Sequence, residues 1–110
     1  MTDLYTPEGE AVRDRKHTLY EVFNPDHSVG LACDPAGKII GLHIGDGVRE
    51  STDGWLAAEI LLLARLAYQK SRVGWREEML AKGTLPYIIE NFDLPTATEY
   101  AAMENAAFDR

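Results

Sequence analysis

The stretch from Asp53 to Arg76, DGWLAAEILLLARLAYQKSRVGWR, constrains this chain more than any other. It is apolar over too many consecutive turns to be a helix with a single buried side. Leu56, Ile60, Leu63 and Ala67 recur at intervals of four, three and four residues, the spacing of one helical face. A second stripe, Trp55, Leu62, Leu66 and Val73, lies roughly 100° to one side of it. Between Trp55 and Tyr68 the only charged residues are Glu59 and Arg65. A helix apolar around most of its circumference must be covered on more than one side. In a chain of 110 residues a second copy of the same protein is the expected second cover. Trp55, Leu62, Leu66 and Val73 are then the expected dimer interface.

The residues before this helix read as strands. Met1 to Lys16 mixes charges with Pro7 and Gly9 and is expected to be a flexible N-terminal arm. From His17 one α+β domain is expected to run to Arg110: a β-meander over 17–45, a long helix over 52–82 and a helical segment over 86–110. His17–Phe23 is rich in strand formers. Asn24-Pro25-Asp26-His27 has turn chemistry. In Ser28–Asp34 the residues Val29, Leu31 and Cys33 alternate with Gly30 and Ala32, the period of a half-buried strand. Asp34-Pro35-Ala36-Gly37-Lys38 is a second turn. Ile40, Leu42 and Ile44 continue the period of two, with His43 on the opposite face. Short turns between successive strands favour an antiparallel meander. Thr52 or Asp53 caps the long helix and Lys82-Gly83 closes it. At about 45 Å such a helix is longer than so small a domain is wide, so it must protrude, bend near Gly74 or pack on a partner. Pro86–Phe92 is either a short helix or extended. Thr96 caps a final helix, with Glu99 completing a capping box.

The charge balance narrows the function. Eighteen acids against eleven Lys and Arg leave a net charge of -7, which opposes sequence-blind attraction to DNA, RNA or anionic membranes. The lone Cys33 cannot form an internal disulfide, which suits a reducing cytoplasm. The first residues lack the pattern of a signal peptide, and the longest wholly apolar run, Ile60–Ala64, is far too short to span a bilayer. A soluble cytoplasmic protein is expected, with export by a route needing no cleaved signal left open.

No set of residues assembles into a catalytic or metal site. His17, His27 and His43 fall on or between strands, without the paired spacing that zinc sites use. Cys33 sits on the inward face of its strand, where a thiol is inert. Gly41, Gly45 and Gly47 match neither the dinucleotide fingerprint nor the P-loop. Glu77 and Glu78 are adjacent on a helix, so they diverge by about 100° and form no acid–base pair. No cofactor is expected and no enzyme activity. Arg65, Lys70, Arg72 and Arg76, interleaved with Tyr68 and Trp75, are the only candidates for nucleic-acid contact, through phosphates. The alternative is a solvated face paired with Glu77, Glu78 and the acidic C-terminal helix.

The order of residues Tyr20-x-Val22-x-Asn24-Pro25, Val29, Gly37-x-Ile39, Leu56-Ala57-x-Glu59-Ile60 and Ala64-x-Leu66-Ala67-x-Gln69-Lys70 resembles the EspD/EspH group of ESX (type VII) secretion-associated proteins of mycobacteria and their relatives. Leu94-Pro95-Thr96, followed by Ala101-Ala102-x-Glu104 and Phe108, is similar to that group's closing helix. The resemblance spans roughly Leu19 to Arg72 and Leu94 to Phe108. The first block also resembles, more distantly, the YbaB/EbfC superfamily. That resemblance implies a three-stranded antiparallel sheet and a dimer in which long helices pack together. Together the two imply a non-enzymatic homodimeric accessory of type VII secretion whose partners are secretion substrates or other secretion-associated proteins. The alternative is a nucleoid-associated, DNA-binding protein of the YbaB type.

Overall fold

A computed structural model describes residues 18–110; the expected N-terminal arm and His17 lie outside them. The fold is α+β. Strands β1 (Tyr20–Phe23), β2 (Val29–Cys33) and β3 (Ile39–Ile44) form an antiparallel sheet in the order β1-β2-β3. A 3-10 turn over Asp46–Glu50 leads into the long helix α1 (Asp53–Ala81). A short helix α2 (Pro86–Ile89) continues as a 3-10 turn through Phe92, and helix α3 (Ala97–Ala107) follows.

Local chemistry explains the boundaries. Asn24 N–H donates to Val29 O and His27 N–H to Asn24 O, closing the first hairpin through His27 in the left-handed region at φ 62°. In the second turn the Asp34 carboxylate accepts from the Ala36 and Lys38 amides, and Gly37 takes a φ of 88° that a side chain would resist. Thr52 Oγ1 accepts from Trp55 N–H at the start of α1. At its end Gly83, at φ 88°, donates to Leu80 O and Thr84 donates to Met79 O, the paired bonds of a Schellman motif. Thr96 and Glu99 form the expected reciprocal capping box. α1 is one continuous helix of 29 residues. Gly74 marks a close approach to the Tyr20 ring and hydroxyl.

The core lies between the sheet and α1. Val22, Val29, Leu31 and Cys33 meet Leu63, Leu66, Ala67 and Val73, with Tyr100 of α3 closing one side. Burying each large aliphatic there contributes about 1.5–3 kcal/mol. The sequence missed the role of Asp46–Glu50, whose Val48 is buried in this core.

Two expectations are corrected by the packing. The alternation of Ile40, Leu42 and Ile44 predicts a buried face, yet all three are about half exposed, at 49%, 50% and 47%. One helix about 10 Å wide covers two strands spaced about 4.8 Å apart. α1 packs mainly on β1 and β2, so among the described residues β3 lies largely outside its cover. The second correction concerns the stripe assigned to a partner. Leu66 and Val73 are already buried in the single chain, and Trp55 and Leu62 are half-buried against the same core. Tyr100, Ala107 and Phe108 of the C-terminal segment join that cluster, so the second cover of the helix comes largely from its own chain.

Candidate interaction surfaces

The residues nominated for chemistry are dispersed. Cys33 faces α1, where its Sγ donates to Ala67 O at 3.3 Å and burial pushes the thiol up. His43 pairs with Gly30 across the sheet and faces the other side. There the Phe23 ring covers Gly30, stacks on His27 at 5.1 Å and lies 5.9 Å from His43. The sheet therefore separates the thiol from both imidazoles. Among the described residues no group of His, Cys, Asp and Glu could hold a metal ion. Glu78 pairs with Lys82 one turn on, at 3.3 Å, rather than with Glu77.

The basic half of α1 is occupied by its own fold. Lys70 Nζ donates to Glu21 O at 2.8 Å. Arg72 donates to Tyr68 Oη at 3.0 Å and to Phe92 O at 3.2 Å, with its guanidinium 5.4 Å from the Tyr68 ring centroid. Arg76 donates to Leu94 O at 3.1 Å. These arginines fasten the 92–94 backbone to α1, and Trp75 meets Phe92 at 5.3 Å beside them. The expected carboxylate partners are thus replaced by carbonyls. Of the four proposed phosphate contacts, only Arg65 stands on an exposed position of α1. A phosphate-binding stripe would need several free cations in a row.

A polar network that the sequence did not signal joins both ends of the fold. Asn24 and Glu59 are buried at 2% and 3% exposure. Asn24 Nδ2 donates to Glu59 Oε2 at 2.9 Å, and Arg110 grips both carboxylate oxygens, at 2.8 and 2.5 Å. The Arg110 guanidinium holds the Glu59 carboxyl below its ordinary value, with Asn24 adding to the effect against burial.

A cleft of about 600 Å³ lies between α1 and α3 and is lined by Tyr68, Arg72, Asp93, Pro95, Glu99 and Met103. No His, Cys or Ser lines it. Apart from Leu19, Tyr68 and Met103, the exposed large apolar side chains among the described residues fall in two places. The first is β3 with Ile39, Ile40, Leu42 and Ile44, together with Leu61 of α1 at 57% exposure. The second is the far end of α1 and the turn after it, with Leu80, Leu85, Tyr87, Ile88 and Phe92. Scattered exposed apolar residues are ordinary, whereas contiguous groups mark interaction sites. No described helix is long and apolar enough to cross a membrane.

Compared with protein-family models, with curated proteins and with solved structures, the chain gives no match.

Proposed function

We propose that this protein is a non-enzymatic accessory of ESX (type VII) secretion that works through protein–protein contacts as a homodimer. The observation that carries the reading is the pair of exposed apolar surfaces, one on β3 and one at the far end of α1 with α2. The EspD/EspH-like order of residues supplies the secretion context. The client surface in this reading is the end of α1 with α2, where Tyr87 is 68% exposed and Leu85 is 52% exposed. Their burial on a client would supply an apolar anchor of the kind that dominates binding energy.

The test is affinity capture from the native host with the wild-type chain and with Tyr87→Asp. Type VII secretion substrates or secretion-associated proteins are expected with the wild type and are expected to be lost with the variant. Recovery of none of these, with deletion leaving the set of secreted proteins unchanged, would overturn the reading.

A further inference from the structure

The two halves of the Glu59–Arg110 pair are built differently. Glu59 projects from the first half of α1 and is buried, as is Asn24 beside it. Asn24 is pinned in its hairpin. Its Oδ1 accepts from Val29 N–H at 3.1 Å, and its Nδ2 donates to Ser28 Oγ at 3.0 Å as well as to Glu59 Oε2. Sheet and long helix therefore hold the acidic half in place. The basic half is held loosely. Arg110 lies beyond the end of α3, and its side chain is 44% exposed. Asp109 N–H, just before it, reaches Ala106 O at 3.4 Å, past the ordinary range of such bonds. Without the Arg110 side chain, a shaped hollow would remain. Two carboxylate oxygens would face it, with Asn24 behind them. The half-buried Phe108 ring, whose centroid lies 5.6 Å from the guanidinium carbon, would form one wall. Asp26, in the hairpin turn, adds its negative charge to the same place.

We infer that Glu59, Asn24 and Phe108 form a guanidinium-binding site, that Arg110 fills it as an exchangeable occupant, and that an arginine side chain of a partner protein takes its place when Arg110 leaves. The chemistry selects arginine. A carboxylate this deep is strongly unfavourable without a counter-charge, so a departing cation must be replaced by another. A guanidinium meets both oxygens with two parallel N–H donors and is attracted to an aromatic face. A lysine ammonium is a point charge and lacks the two-pronged match. In the free chain Arg110 wins because its tether keeps it at high effective concentration. A partner's arginine competes as one anchor of a larger contact, and arginine is among the residues that anchor interfaces most often. The site lies about 30 Å along α1 from the apolar end proposed above as the client surface, so it stands or falls apart from that reading.

The test uses the full chain carrying Arg110→Ala, with N-acetyl-arginine amide as the probe and N-acetyl-lysine amide as its comparison. The arginine probe at millimolar concentration is expected to shift the urea midpoint of Arg110→Ala back towards that of the wild type, and the lysine probe to shift it much less. The side-chain amide resonances of Asn24 are expected to move towards their wild-type positions with the arginine probe, which locates the binding. The wild type is expected to respond only at far higher concentration, because Arg110 competes with the probe. Glu59→Gln combined with Arg110→Ala is expected to abolish the response. If Arg110→Ala does not fold alone, recovery of its helical circular dichroism with the arginine probe and not the lysine probe gives the same answer. No response of the variant, an equal response to both probes, or a response that survives Glu59→Gln overturns the inference. A wild type that responds as readily as the variant, or not at all, overturns the exchange.

Discussion

Arg110 forms a bidentate ion pair with Glu59, which precedes it by 51 residues, at 2.8 and 2.5 Å. The pair ties the last residue of this sequence to the first half of α1. Asn24, held by the same carboxylate, brings in the end of β1. Three segments distant in sequence therefore share one buried charge.

Removing the arginine should cost more than its own exposure suggests. The Arg110 side chain is 44% exposed, so solvent screens its attraction, but Glu59 is 3% exposed and would keep its charge with Asn24 as its remaining donor among the described residues. Arg110→Ala is expected to lower stability by about 1–3 kcal/mol, read as a fall in the urea midpoint. Arg110→Lys, which keeps the charge and loses the two-pronged geometry, should fall between the two. Equal midpoints for all three chains would remove the network from the account of stability.

The same contact sets a pH dependence. Glu59 is held below its ordinary value of 4.5, so the native state binds its proton more weakly than the unfolded chain does. Its stabilisation is complete above the unfolded value and is lost as the pH falls through the native one. The gap in urea midpoint between wild type and Arg110→Ala is therefore expected to be constant near neutrality and to close as the pH drops below about 4.5. A gap that persists unchanged at strongly acid pH would show that packing of the arginine stem, not charge, carries the effect.

Two glycines of α1 should respond to alanine in opposite directions. Gly54 has open space around it, so Gly54→Ala should gain the helix propensity of about 0.5–1 kcal/mol that glycine gives up. At Gly74 an added methyl would run into the Tyr20 hydroxyl and ring, deep enough to force a shift. Overpacking of that kind costs about 1–3 kcal/mol and outweighs the propensity gain. Gly74→Ala is expected to lower the thermal midpoint and Gly54→Ala to raise it. Tyr20→Ala should abolish most of the penalty at Gly74, which a double-mutant cycle measures directly.

The elements of the fold were legible because their signals are local. The Thr96–Glu99 capping box, the Asn24–His27 and Asp34–Lys38 turns and the Gly83 helix stop each depend on residues within one turn of chain. What covers a given face depends on distant residues. The stripe Trp55, Leu62, Leu66 and Val73 correctly shows a second packed side, but helical period cannot say whether α3 or a partner packs there. The alternation of Ile40, Leu42 and Ile44 likewise gives the strand but not its cover. Glu59 reads as one of two charges on a greasy helix, and nothing near it in sequence points to Asn24 or Arg110. For the same reason Lys70, Arg72 and Arg76 read as a basic patch, when each reaches a carbonyl supplied by another part of the fold.

The thiol offers a probe of how tightly sheet and helix hold together. Cys33 is 1% exposed and its Sγ lies against the Ala67 carbonyl, with burial pushing the thiol up from its ordinary value of 9.0. Only the thiolate reacts quickly with disulfide reagents. Modification in the native state therefore requires α1 to lift from β2, an opening drawn from the global end of the stability range. Native protein is expected to react slowly and denatured protein at once, with the native rate rising in step with each destabilisation described above. Gly74→Ala and Arg110→Ala should both accelerate it, and Gly54→Ala should slow it. Rapid labelling of the native chain, insensitive to all three substitutions, would show that the β2–α1 seam opens independently of the rest of the core.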